Sequence, residues 1–225
     1  MKILHLIAGP GAGGAEVYVK DLAISMTEQG HELHIGFWGH AEDFDRNKDF
    51  EENYLTELEK NNIKYFFIGY DSRKKPWRGV FRTNKYVKEN KIDIYHSHFL
   101  YGVLFGLITK IPKIYTHHNI KFQVSRITFK FFDKLINNYV GISKICSDTL
   151  STYTTKRITT IINSVNTRKF PKNTSIRKYK QNLSFLAVGR IHPQKNYYLM
   201  LYLYCLRPLK KVLKYQLLEK VQKRV

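Results

Sequence analysis

Eight residues, Gly9-Pro10-Gly11-Ala12-Gly13-Gly14-Ala15-Glu16, follow an apolar run at 3–8 and lead into a helix-forming stretch. Glycines at a strand-to-helix turn let backbone approach a ligand closely, and the helix start offers unpaired N–H groups to an anion. Gly9, Gly11 and Gly14 also match the dinucleotide pattern G-x-G-x-x-G, which needs an acidic residue closing the next strand. That strand runs instead into Trp38, Gly39 and His40, and acids return only at Glu42, Asp43 and Asp45 in polar sequence. The dinucleotide reading therefore lacks its partner.

Four histidines, His96, His98, His117 and His118, fall near the ends of two adjacent strands. A metal site is one reading, but the H-x-H and H-H spacings bring no carboxylate or thiolate. Alternation along a strand sends His96 and His98 to one face and His117 and His118 to opposite faces, so no metal is expected. His98 and His118, nearest the strand exits, are expected to orient or hydrogen-bond a substrate; His96 and His117 fit a structural role as well. Later in the chain, Gly189-Arg190-Ile191-His192-Pro193-Gln194-Lys195 offers two cations on a loop after a strand. Arginine grips phosphate bidentately and lysine adds a compact charge, which suits a diphosphate, although a solvent-facing pair reads the same. Neither the nucleophile elbow G-x-S-x-G nor a P-loop occurs, which removes the main support for serine hydrolase and nucleotide triphosphatase chemistry.

Alternating β-rich and helical runs predict a parallel sheet with crossover helices on both faces. Helices are expected over 15–29, 49–61, 80–90, 101–109, 122–137 and 144–153, with Gly30 ending the first and Ser143 capping the last. Strands are expected over 33–38, 64–68, 92–96, 139–142 and 158–162, with another within 113–119. A polar stretch at 166–182 reads as a linker. A strand at 183–188 then repeats the opening strand-loop-helix device.

The 225 residues exceed a typical single domain and fall short of two full α/β domains. A hydrophobic content of 43% can build a core, and Cys146 and Cys205 have no metal-ligand or disulfide-framework spacing, which suits a reducing cytosol. The start is too short for a signal-peptide core, and no run approaches the roughly 18 apolar residues of a spanning helix. The net charge of +20 is uneven: residues 1–165 carry 23 Lys and Arg against 17 Asp and Glu, residues 166–225 carry 15 against one. Such a tail suits an anionic membrane, a phosphorylated ligand or simply a solvated surface. Nucleic acid is not expected, since no recognition motif accompanies the charge.

Five segments, in order, give the chain a resemblance to glycosyltransferase family 4. Gly13-Gly14-Ala15-Glu16 resembles that family's G-G-x-E loop, and Asp93-Ile94-Tyr95-His96-Ser97-His98 its D-hydrophobic-hydrophobic-H-x-H strand. Thr116-His117-His118-Asn119 is similar to T-x-H-D, and the segment from Asn163 to Phe170 to N-G-V-D-x-x-x-F. Gly189-Arg190-Ile191 with Lys195 resembles G-R-L-x-x-x-K-G. Ser164, Asn166, Asn119 and Asn196 depart from those patterns, all with residues that suit turns.

The resemblance implies the GT-B architecture, two facing Rossmann-like domains with the active site between them. It implies transfer of a sugar from a nucleotide diphosphate sugar to an acceptor hydroxyl, with retention of configuration and no cofactor or metal. By position, His118 would be the catalytic histidine, and Arg190, Lys195 and Gly14 would bind the donor diphosphate. Gly13, Glu16, His98 and Asn119 would line the acceptor side of the cleft. The acceptor would be a glycan or lipid-linked, within surface polysaccharide or glycolipid synthesis, placing the protein in the cytoplasm or at the inner face of an anionic membrane. The family's E-x7-E motif is missing, since the last sixty residues hold one acid, Glu219, and position 211 is a lysine. The expected organisation is therefore an acceptor-side domain at 1–165, the linker, and an incomplete donor-binding domain at 183–225. A binding remnant, or one half of a split enzyme, is the alternative.

Overall fold

The computed structural model describes residues 1–122, 124–164, 166–167 and 196–206. The chain divides into two units, 1–170 and 171–225. In the first, seven parallel strands run in the order β3-β2-β1-β4-β5-β6-β7. They are β1 (Lys2–Ile7), β2 (Glu32–Phe37), β3 (Lys64–Phe67), β4 (Ile94–Ser97), β5 (Lys113–His117), β6 (Asn138–Gly141) and β7 (Ile158–Thr160). The helices joining them are α1 (Gly14–Glu28), α2 (Lys48–Lys60), α3 (Pro76–Asn90), α4 (Leu100–Phe105), α5 (Arg126–Leu135) and α6 (Lys144–Ser151). This is the Rossmann-like α/β sheet expected from the alternating runs.

The period-two alternation of β1 divides the core. Ile3 and Ile7 pack with Val19 and Ala23 of α1 and Tyr54 and Leu58 of α2. Leu4 and Leu6 face the other way, onto Val87 of α3 and Phe105 of α4. Burying both faces is what makes the strand read as a continuous apolar run. A third cluster joins Tyr115 and Tyr139 of β5 and β6 to Phe129 and Phe132 of α5 and Leu150 of α6.

Local signals account for most boundaries. Gly30 takes φ +85 just past α1, where a side chain would be strained. The Ser143 hydroxyl accepts from Cys146 N–H at 3.2 Å and caps α6. Three helices differ from expectation, α4 ending at Phe105 rather than at Thr109. α3 begins four residues earlier, because Pro76 occupies its first turn, where a missing N–H costs nothing. α5 begins at Arg126, since Ser125 caps it by accepting from Thr128 N–H.

In the second unit the described part is α7 (Tyr197–Leu206), with Tyr198 and Leu199 exposed. The expected strand at 183–188, most of the linker, Arg190 and Lys195 lie outside the described residues.

Candidate functional site

The strand order reverses between β1 and β4, and open α/β sheets bind ligands outside the carboxyl ends at such a point. The glycine loop leaves β1 there, and His98 leaves β4 beside it. The β1–β4 register pairs His5 with His96, and His98 N–H extends the ladder by donating to Leu6 C=O at 2.9 Å. Strand parity then puts His5, His96 and His98 on the α1 face. On β5, Thr116 and His118 share that face, while Tyr115 and His117 point into the third cluster.

The result is a file of imidazoles. His5 Nδ1 lies 3.0 Å from His98 Nε2, and His98 Nδ1 lies 3.0 Å from His118 Nε2. His96 packs against the file, with ring centroids 4.9 Å from His5 and 4.3 Å from His98, and its Nε2 bonds Thr116 Oγ1 at 2.7 Å. Tyr18 of α1 covers the outer end, its ring edge-on to His118 at 5.7 Å. Burial lowers His5 and His118 to about 4 and holds His96 and His98 well below the ordinary imidazole value, so all four are neutral near pH 7.

Three of these rings, His5, His96 and His98, offer nitrogens within 4.8 Å of one another. Neutral imidazoles would suit Zn²⁺ or Cu²⁺ better than Mg²⁺. Both nitrogens of His98 are already engaged by other rings, and no anionic ligand among the described residues joins the group, so ligation would break the file and bury an uncompensated charge. Hydrogen bonding explains the arrangement better.

The glycine loop is braced from below. Arg46 Nη2 pairs with Glu16 Oε1 at 2.7 Å, and Arg46 Nη1 donates to Gly9 C=O at 3.1 Å. Glu16 is thus a buried member of a clamp rather than a free carboxylate in the cleft. Of the acids after β2, Asp43 serves locally, accepting from His40 N–H at 2.8 Å. A groove of about 320 Å³ continues along α1 from Tyr18 and is lined by Ser164, Asn166 and Thr167.

The two glycines differ sharply. A Cβ on Gly13 would overlap the Glu16 carboxylate, whereas a Cβ on Gly14 would meet nothing within 4 Å. Gly13→Ala should therefore displace Glu16 from Arg46 and cost about 1–3 kcal/mol. Gly14→Ala should leave stability equal or up to about 1 kcal/mol higher, while blocking backbone approach to a ligand. Urea melts of the two variants check this, and equal destabilisation would contradict it.

The structure brings Gly13, Gly14, Glu16, His98 and His118 to one end of the sheet. Asn119 is exposed beyond β5, its C=O accepting from Cys146 Sγ at 3.5 Å. His117 stacks on Phe122 at 4.1 Å and bonds Tyr115 OH at 3.0 Å, a structural position. His5, Tyr18 and Arg46 were not legible as site residues. For His5 the available signal was a titratable group in the middle of an apolar strand.

The profile of Glycosyltransferase Family 4 matches residues 12–169. Among curated proteins none matches the sequence. Three similar solved structures are HepE of Anabaena in complex with UDP and glucose, a glycosyltransferase from Rickettsia africae, and the apo lipopolysaccharide outer core galactosyltransferase WaaB. HepE is 16% identical with a TM-score of 0.54, covering 75% of this chain and 46% of that one. The Rickettsia protein is 17% identical with a TM-score of 0.59, covering 76% and 45%. WaaB is 16% identical with a TM-score of 0.53, covering 73% and 46%. The likeness is one of fold, and the chain spans about half the length of these proteins.

Proposed function

Because the chain belongs to glycosyltransferase family 4, we propose that it takes part in moving a sugar from a nucleotide diphosphate sugar to an acceptor hydroxyl, with retention of configuration. The observation that carries this reading is the convergence of Gly13-Gly14 and His118 at the topological switch point, backed by the clamped loop and the imidazole file. In this reading Gly14 admits donor phosphate or acceptor to the helix start, and His118 hydrogen-bonds the transferred sugar or the acceptor. Arg190 and Lys195 hold the diphosphate, where fixed cations act on charge that develops as the leaving group departs. No metal or other cofactor is assigned a role.

We assign the acceptor to glycans or lipid-linked sugars of surface polysaccharide or glycolipid synthesis, met at the cytoplasmic face of a membrane. Exposed Ile127 and Phe131 beside Arg126, Lys130 and Lys134 on α5 support contact with an anionic surface. Among the described residues no helix is long and apolar enough to cross a membrane.

The test is calorimetric titration of the chain with UDP, GDP and ADP, followed by transfer from the matching labelled nucleotide sugars to bacterial lipid extract. One nucleotide should bind in the presence of EDTA, and Arg190→Ala and Lys195→Ala should each weaken it about 10-fold or more, as loss of a charge-assisted contact does. If no nucleotide binds while labelled glycan does, and the two variants leave glycan binding intact, the chain is an acceptor-binding module instead.

A further inference from the structure

The imidazole file fixes more than the position of His118. Each neutral ring carries one N–H, and each ring-to-ring bond needs one donor and one acceptor. His98 is bonded through both nitrogens, so it donates through one and accepts through the other. Both bonds therefore run the same way along the file, and only two proton orders exist. Either all three rings carry the proton on Nε2, or all three carry it on Nδ1.

The buried end of the file chooses between them. His5 is 1% exposed, and among the described residues its Nε2 has no hydrogen-bond partner. With protons on Nε2, that atom would be a buried N–H donating to nothing, the rarest kind of orphan in folded proteins. With protons on Nδ1 it holds only a bare lone pair. His96 does not compete for this role, because its Nε2 is committed to Thr116 Oγ1.

We propose that His5 and His98 are positioning residues that lock His118 as the Nδ1–H tautomer, so that its free nitrogen is a hydrogen-bond donor to an oxygen acceptor. That acceptor is a sugar hydroxyl or a phosphate oxygen, and this part of the inference rests on the transferase reading above. Free imidazole side chains favour the Nε2–H form, so the file holds His118 in the minority tautomer. His118 consequently acts as a donor and not as a base: its Nε2 lone pair is occupied by His98 Nδ1–H. The signal is spread over β1, β4 and β5, which is why no local motif announces it.

Long-range ¹H–¹⁵N spectra of the full chain labelled in histidine nitrogen read the tautomers directly, without substrate. The expected result is a protonated Nδ1 and a bare Nε2 for His5, His98 and His118, assigned by single substitutions. His5→Phe keeps a ring and removes both nitrogens, and should shift His118 toward the Nε2–H form. His5→Asn, whose amide can donate near the position of Nδ1, should restore the Nδ1–H form. A proton on Nε2 of His118 in the unsubstituted chain overturns the proposal, as does a His118 tautomer that ignores His5→Phe. If that variant does not fold, the unsubstituted and Asn spectra decide. Absence of sugar transfer with an intact Nδ1–H file would overturn the functional reading alone, and the reversed file would overturn this inference alone.

Discussion

Acidification from about pH 7 to about pH 5 should strip the N-terminal unit of most of its stability. His5, His117 and His118 fall from 6.5 to about 4 on folding, each chiefly because burial penalises the charged ring. The unfolded chain binds more protons than the folded one throughout that interval. Stability is therefore complete above the unfolded value of 6.5 and drains away as the pH falls toward 4. At about pH 5 a single such group contributes a loss of about 2 kcal/mol, and the coupled set together loses several kcal/mol. Total folding stability is typically about 5–15 kcal/mol, so the loss is comparable to the whole. His96 and His98 are shifted in the same direction and add to it.

Glu32 acts in a different window. Hydrogen bonds from Lys64 and Lys2 hold it at about 2, so its contribution persists above 4.5 and fades only below that. Its side chain is 36% exposed, and solvent screening keeps the effect small. Urea midpoints followed by circular dichroism across the interval test the histidine effect. A midpoint that stays flat would show that these rings charge without resistance. His5→Phe should flatten the slope in part, since it removes one of several acid-sensitive rings.

Replacing His118 with alanine should lower sugar transfer about 10²–10³-fold while changing the donor KM little, the pattern of a group that acts mainly in the transition state. The ring is held between His98 and Tyr18, 3.0 Å from the first and 5.7 Å centroid to centroid from the second. Truncation therefore removes a pre-aimed polar group at the switch point, not a mobile surface side chain. The same substitution deletes one of the acid-sensitive rings but leaves His98 Nδ1 without its partner, so the variant should lose about 1–3 kcal/mol near neutrality and recover part of that deficit in acid. A transfer rate within a few-fold of the parent, with both midpoints behaving as stated, would remove His118 from the chemistry. A loss of transfer accompanied by a neutral midpoint lowered well beyond that deficit would indicate structural damage.

How legible these features were depends on how far apart in the chain their causes lie. The alternating strands and helices, Gly30 after α1 and the Ser143 cap are consequences of neighbours within a few residues, and the sequence shows them. The boundary of α3 was obscured because Arg73, Lys74 and Lys75 ahead of Pro76 resemble a solvated loop, while the proline itself begins the helix. In the site, G-G-x-E and H-x-H are visible as spacings. His5 is not, since its partner His98 is reached only through the pairing of β1 with β4. Arg46 is hidden for the same reason: it belongs to a polar stretch after β2, and only the folded loop sets it against Glu16 and Gly9. Opposite-face placement of His117 and His118 did follow from strand alternation. The spacing does not show that the Glu16 carboxylate turns inward to the arginine.

The strand order has a consequence during synthesis. β1 is made first, yet it lies third from the β3 edge of the seven-stranded sheet, between β2 and β4. Ile3 meets Ile94 across the ladder with β4. At about 5–20 residues per second, β1 waits on the order of 5–20 s for this neighbour to be translated. Until then one backbone edge of Ile3–Leu6 has no strand beside it, and the nascent chain carries an open apolar template of the kind that recruits holding chaperones. His98 and His118 arrive later still, so the imidazole file is a product of nearly complete translation of the first unit, and no shorter nascent chain contains it.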